Sequence, residues 1–330
     1  KTQTHLFSKT LKLREITHSQ PVSTPFMSIN LRGLTTAAAS RKRRVGIVGF
    51  GAVGKYLTKA ILQNPDCQAK LELAFVGCAV HPDAPLEDPD IPKSAVLGSI
   101  ADFASTRPDL IIEVAHQSVS RDFGAAFLAH CDYMPASVTA FADAEVEASL
   151  RAAASSDGNR LFIPAGALWG AHDIKKMADR GSLKKLTVTM AKAPHHLKLS
   201  GSVGEAKERL LAEGFEGEAV LYEGPVRELC SLAPNNVNTM AAAALAGHTL
   251  GFDGTVARLV MDASLNAHVV TVECEGFEKH PGAPPFRLIT TRFNPAEEGA
   301  VTGDATYHSF LSSMLEAAEG SRSAGGVHFC

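Results

Sequence analysis

Gly49-Phe50-Gly51-Ala52-Val53-Gly54 has the residue types and spacing that let a main chain close around a diphosphate. In a G-x-G-x-x-G turn the first glycine makes the tight bend and the second lets the backbone approach the pyrophosphate. The third lets helix and strand pack closely. The pattern carries weight only between a strand and a helix. Here it closes the apolar run Val45-Gly46-Ile47-Val48-Gly49 and opens a segment with Val53, Leu57, Ala60 and Ile61 on one helical stripe. A diphosphate is therefore expected on Gly49, Gly51, Ala52, Val53 and Gly54, at the positive end of that helix. A site selective for NAD carries an acid at the tip of the second strand, about 20 residues on. This strand ends Cys78-Ala79-Val80-His81, with Asp83 two residues beyond, so NAD and NADP both stay open. His81 is either a partner for a 2′-phosphate or a solvent-exposed loop histidine.

The elements that must hold this turn follow an α/β rhythm. Strand-like runs at residues 45–49, 71–80, 109–115, near Tyr133 and at 161–163 alternate with helical spacing at 119–129 and 144–154. That alternation implies parallel strands with crossover helices, a doubly wound Rossmann sheet. Glu113, late in a buried strand, lies where Rossmann ligands bind and is expected to orient loop backbone. After Pro164 the pattern changes. Residues 183–190, 256–261, 268–275 and 286–293 read as strands with few helices between them. They predict a second α+β region around a mainly antiparallel sheet, with one face polar or covered by a partner. One long helix, at about 236–246, is expected to interrupt it, and a final amphipathic helix at about 307–318 to return to the first domain.

At 330 residues, 45% apolar and 20% charged, with net charge −3, the chain has the composition of a globular protein of two domains. It lacks the basic stripe of a nucleic-acid binder and any apolar run long enough to cross a bilayer. Its six cysteines are scattered, without a C-x-x-C pair, and read as reduced packing residues. Residues 1–44 carry nine Lys or Arg against the single acid Glu15. That is the composition of an organelle transit peptide, which implies a mitochondrial protein. A start at Met27 with a short basic tail implies a cytoplasmic one. On either reading residues 1–43 are expected to be a poorly ordered tail.

Several further segments, in this order, resemble the aspartate dehydrogenase family and its animal members in particular. They are Glu113-Val114-Ala115-His116, Pro164-Ala165-Gly166-Ala167-Leu168-Trp169-Gly170 and Tyr222-Glu223-Gly224-Pro225-Val226-Arg227. Ala233-Pro234-Asn235-Asn236-Val237-Asn238-Thr239-Met240-Ala241-Ala242 and the stretch Met261 through His268 follow. The likeness runs from about Arg44 to the end. It implies oxidation of L-aspartate by NAD or NADP to iminosuccinate, then hydrolysis to oxaloacetate and ammonia. It also implies a Rossmann domain over 44–165 completed by a C-terminal helix at 303–325, and a catalytic domain over 166–302 that mediates homo-oligomerisation, expected as a dimer. Carried over by position, the family's catalytic histidine falls on His268, and cofactor contacts outside the glycine turn fall on Ala167 and Asn238. One departure is Asp262-Ala263, where microbial members commonly read Asp-Pro.

The chemistry suits these residues. An amino-acid dehydrogenase needs a group that accepts a proton from the amine or from attacking water near neutral pH, and imidazole titrates in that range. Asn235, Asn236 and Asn238 precede or open a helix, where amides can hold a nicotinamide or a carboxylate. Asn beside Pro is also an ordinary cap, and a histidine at a strand start is also an ordinary half-exposed residue. Two substrate carboxylates need cations, and Lys192, His195 and His196 are the first place to look. Adjacent histidines on an extended chain point apart and no further ligand is near in sequence, so no metal is expected. Two alternatives remain beside the aspartate reading. One is a relative of homoserine dehydrogenase or dihydrodipicolinate reductase; the other is a dinucleotide-binding protein whose substrate pocket has decayed.

Overall fold

The computed structural model describes residues 41–78, 88–156, 158–234, 236–295, 304–319 and 326–329. The basic segment up to residue 40, the strand-tip residues His81 and Asp83, Asn235, and residues 303 and 320–325 of the expected C-terminal helix lie outside them.

In chain order the first half runs β1 (Arg43–Val48), α1 (Ala52–Gln63), α2 (Pro65–Lys70), β2 (Leu71–Gly77), β3 (Val96–Leu97) and β4 (Leu110–Glu113). It continues with α3 (Gln117–His130), β5 (Asp132–Pro135), α4 (Ala144–Ser156) and β6 (Arg160–Ile163). Next come α5 (Ala171–Asp179), β7 (Leu183–Lys192), α6 (Gly201–Ala212), β8 (Glu218–Pro225), α7 (Val226–Leu232), α8 (Asn238–Ala246) and α9 (Gly251–Gly254). The chain ends through β9 (Val256–Asp262), β10 (Ala267–Gly276), β11 (Arg287–Pro295), α10 (Asp304–Glu319) and β12 (Gly326–Phe329).

Strands buried on both faces need apolar residues at consecutive positions, and β1, β2 and β4 have them. They lie in a seven-stranded sheet, β12-β6-β5-β4-β1-β2-β3. Every pairing in it is parallel. The order reverses at β1 and β4, the switch point where open α/β sheets bind ligands beyond their carboxyl ends. On one face α10 sends Phe310, Met314 and Ala317 into the core that holds Ile47, Leu57 and Val76. β1 starts at Arg43, two residues before the apolar run, so the end of the basic tail is part of the fold. Arg43 and Arg160 both bond the buried carboxylate of Asp132, and Arg43 also donates to the carbonyls of Asp109 and Ala317. One guanidinium thus ties β1, β5, α10 and the residue that leads into β4 together.

The second sheet, β11-β10-β7-β9-β8, is mixed. Its β7–β9 pair is parallel and the other pairs are antiparallel. The expected single long helix is corrected: α5, α6 and α7 also lie between the strands, and β8 is a further strand. These elements bury little. Val203 is the only buried residue of α6, and none of β8 is buried, so neither shows a strong apolar period. By contrast α8 is buried from Thr239 through Ala246. Its alanines let it sit close among neighbours on every side, as a helix apolar all round must. Among the described residues no helix is long and apolar enough to cross a membrane.

Candidate active site

The glycine turn is built as the sequence requires. Gly49 has φ +110°, a conformation that favours glycine, and a Cβ there would lie 2.8 Å from the Val114 carbonyl carbon. A Cβ on Gly54 would lie 2.1 Å from the Gly49 oxygen, so α1 can meet β1 only with glycine at that position. Gly51 differs: nothing lies within 4 Å of where its Cβ would be. It is exposed and precedes α1, which has no side-chain cap and no acidic residue in its first turn. The open surface over Gly51 and the uncapped amides of Ala52 and Val53 fit a dinucleotide diphosphate.

Beyond β4 and β5, Glu113 organises the next layer. Its buried carboxylate accepts from Ala115 N at 2.6 Å, Ser137 N at 3.1 Å and Ser137 Oγ at 3.0 Å. Burial pushes its carboxyl up to about 7, although these bonds pull the other way. Glu113 therefore orients loop backbone, as its position suggested. It holds the segment that carries Ala136 and Val138 to the mouth of a cavity of about 110 Å³. Pro164 through Ala167, after β6, form a second wall of that cavity, turned by a Leu168 N to Ala165 O bond of 2.8 Å.

The floor is the second sheet. Register pairs Val270 with Met190 on one side and with Arg292 on the other, and pairs His268 with Asn294. One step further along the same ladder sets Lys192 opposite His268. Directly paired residues share a face, so Lys192, His268 and Asn294 form one row and Met190, Val270 and Arg292 the next. All six line the cavity. The start of α8 closes it with Asn238, Thr239 and Ala242, and α10 adds Thr306 and Phe310.

His268, Ala167 and Asn238, distant in sequence, thus meet at one cavity near the carboxyl ends of the parallel strands. His268 is buried, and its ring meets that of His196 edge-on, centroids 4.8 Å apart. The Oδ1 of Asn238 accepts from Thr139 N at 3.3 Å, fixing the start of α8 against the segment after β5. Of the three cations considered for carboxylate binding, Lys192 is in the cavity. Its buried Nζ donates to Asn236 Oδ1 at 3.2 Å, and Asn236 in turn donates to the Lys198 carbonyl at 2.7 Å. Burial pushes the Lys192 ammonium down to about 8. His196 lies beside His268 instead, and His195 is exposed. The Asp262 turn leading to His268 is closed by Ser264, whose N and Oγ both donate to Asp262 Oδ1.

Sequence reasoning missed Arg292, Asn294, Thr306 and Phe310. For the first two the available signal was register: residues 292 and 294 are two apart on a strand pairing with His268 and Val270, and so share their face. The buried thiols are packing groups. Burial pushes Cys131 and Cys230 up to about 12 and Cys274 to about 11, which leaves them protonated and poor nucleophiles. Among the described residues no group of three or more His, Cys, Asp or Glu is placed to hold a metal ion.

Comparison with known proteins agrees with this arrangement. Residues 49–164 match a family described as homoserine dehydrogenase, NAD binding domain, and residues 173–313 match aspartate dehydrogenase, C-terminal. An aspartate dehydrogenase domain-containing protein of Xenopus tropicalis is 44% identical over 88% of this chain and 99% of its own length. An L-aspartate dehydrogenase of Methanococcoides burtonii is 28% identical over 84% of this chain and 97% of its own. In fold, the chain is similar to the crystal structure of aspartate dehydrogenase from Thermotoga maritima, with a TM-score of 0.58 at 19% identity, covering 84% and 96% of the two chains. The glycine turn and its matching domain make NAD(P) the cofactor and the protein an oxidoreductase acting on a small molecule. On the strength of the vertebrate relative, matched along nearly its whole length, the chain belongs to the aspartate dehydrogenase family.

Proposed function

We propose that this protein oxidatively deaminates L-aspartate, with His268 as the acid–base group. The observation that carries the reading is the meeting of His268 and Lys192 on the floor of a cavity whose walls are Ala167 and Asn238. When bound, NAD(P) supplies the two-electron oxidant. The chain's own part is to hold the amino acid with its α-carbon over the strand ends, to exclude bulk water and to move protons. His268 takes a proton from the substrate ammonium and releases it; neutral again after oxidation to iminosuccinate, it accepts a proton from the attacking water and returns it to the departing nitrogen, which yields oxaloacetate and ammonia. Asn238 and the Ala167 backbone orient the nicotinamide end of the cofactor.

The test is an amino-acid panel with NAD⁺ and NADP⁺, run beside His268→Ala. Aspartate is the expected substrate, and the variant is expected to lose on the order of 10²–10⁴ in rate while retaining cofactor affinity. Turnover of homoserine with none of aspartate would sink the assignment. So would tight NAD(P)H binding with no amino acid oxidised.

We propose also that two copies pair through the second sheet. Its site face is covered by α8 and the first domain, whereas the opposite face carries Ile289 and Phe293, 53% and 68% exposed. Two large apolar side chains exposed on the edge strand of a face that otherwise carries Thr187, Thr189, Arg258 and Glu273 suit a partner of the same chain that covers that edge.

A further inference from the structure

Arg292 is the feature of the cavity that neither the fold nor the acid–base chemistry uses. A guanidinium carries five donors in a planar fork. Both terminal nitrogens of Arg292 are shut off from water, and neither has a hydrogen-bond partner among the described residues. Its Cζ lies over the Trp169 ring, 5.6 Å from the ring centroid. That cation–π contact restrains the guanidinium without occupying any donor. Buried donors left unmade are rare in folded proteins because each one costs stability. A preset cation of this kind, facing a cavity, is what a bidentate anion would complete.

Register then says which anion. His268 sits between two strands that each bring a cation. Lys192 is in its own row on β7, and Arg292 is one row away on β11. Neighbouring strands are about 5 Å apart, and diagonal positions about 7–8 Å. A carboxylate attached to the reacting carbon must stay in the row of His268, within reach of Lys192. A second carboxylate on the same short molecule then falls over Arg292.

We propose that Arg292 is the specificity-determining residue of this site, receiving the side-chain carboxylate of a four-carbon dicarboxylic amino acid while Lys192 receives the α-carboxylate. The assignment rests on the amino-acid dehydrogenase reading above, and it sharpens that reading: the site selects for the remote carboxylate, not merely for an amino acid. Arg292 is a positioning residue, so its loss falls on KM rather than on kcat.

The test uses the full chain saturated with NADH and the probe succinate, which has both carboxylates and no amine. Calorimetry is run on wild type, Arg292→Gln and Arg292→Lys, beside aspartate kinetics. Expected are succinate binding by wild type and a loss on the order of 10²–10³-fold in Arg292→Gln. Partial recovery is expected in Arg292→Lys, with NADH affinity unchanged in both variants and a raised KM for aspartate. Succinate binding by Arg292→Gln equal to that of wild type would overturn the proposal, as would failure of wild type to bind succinate. Should Arg292→Gln lose NADH binding through misfolding, Arg292→Lys decides: weaker succinate binding supports the proposal and unchanged binding overturns it. Arginine-dependent succinate binding without turnover of any amino acid would leave this assignment standing and remove the dehydrogenase reading. Aspartate turnover with an unaltered KM in Arg292→Gln would do the reverse.

Discussion

Lys192 carries a charge where water cannot reach it, held by one asparagine oxygen. Burial alone pushes its ammonium down to about 8, below the ~10.4 of a free lysine. The native state therefore disfavours the charged form, and folding stability is lower below about pH 8 than above pH ~10.4. Ligand binding has the opposite sign. An anion that needs the ammonium binds fully below about pH 8 and weakens roughly tenfold per pH unit above it. Succinate titrations of the NADH complex between pH 7 and 10 should show that limb, and Lys192→Met should bind weakly with no limb at all. Constant affinity across the range in wild type would remove Lys192 from the anion site. Lys192 was legible in the sequence as a cation following a strand. Arg292 was not, because an arginine in an edge strand reads as solvent-exposed until the pairing with β10 fixes which way it faces.

The strands and helices that position the site differ in how plainly the sequence announces them. Where an element is buried on both sides, as β1 and β4 are, its residues have little choice and the reading is direct. Where an element only covers a surface, as α6 and β8 do, composition leaves its type open and tertiary context decides. Glu113 belongs to the first kind and carries a measurable cost. Its carboxyl is raised from the ordinary 4.5 to about 7, so the native state holds the proton over a pH range where the unfolded chain has released it. The associated stability is complete below about pH 4.5 and is lost as pH rises through about 7, amounting to roughly 3 kcal/mol. Denaturant titrations across that range, wild type against Glu113→Gln, should differ by this slope. Parallel curves would mean that the loop amides, not burial, govern the carboxyl.

At the scale of the whole molecule, the second sheet has one face inward and one outward. Ile289 and Phe293 on the outward face are expected to lie at a two-fold interface. Replacing both by Asp should convert a dimer to monomers in light scattering, weakening association by at least about 100-fold, since such apolar anchors carry most of an interface's energy. A wild-type chain that is monomeric at micromolar concentration would refute the pairing. This surface was expected from alternation in the strands. The return of the chain to its first sheet was anticipated for α10 but not for β12, a four-residue strand too short to stand out.

That return has a consequence for how the protein is made. The residues that finish the dinucleotide sheet and fill its helical side are synthesised roughly 140 positions after β6. Until α10 emerges, Ile47, Leu57 and Val76 lack the covering supplied by Phe310 and Met314. The first sheet must wait, incompletely sealed, for a segment synthesised long after it. Birth order and folding order are therefore out of step in this molecule.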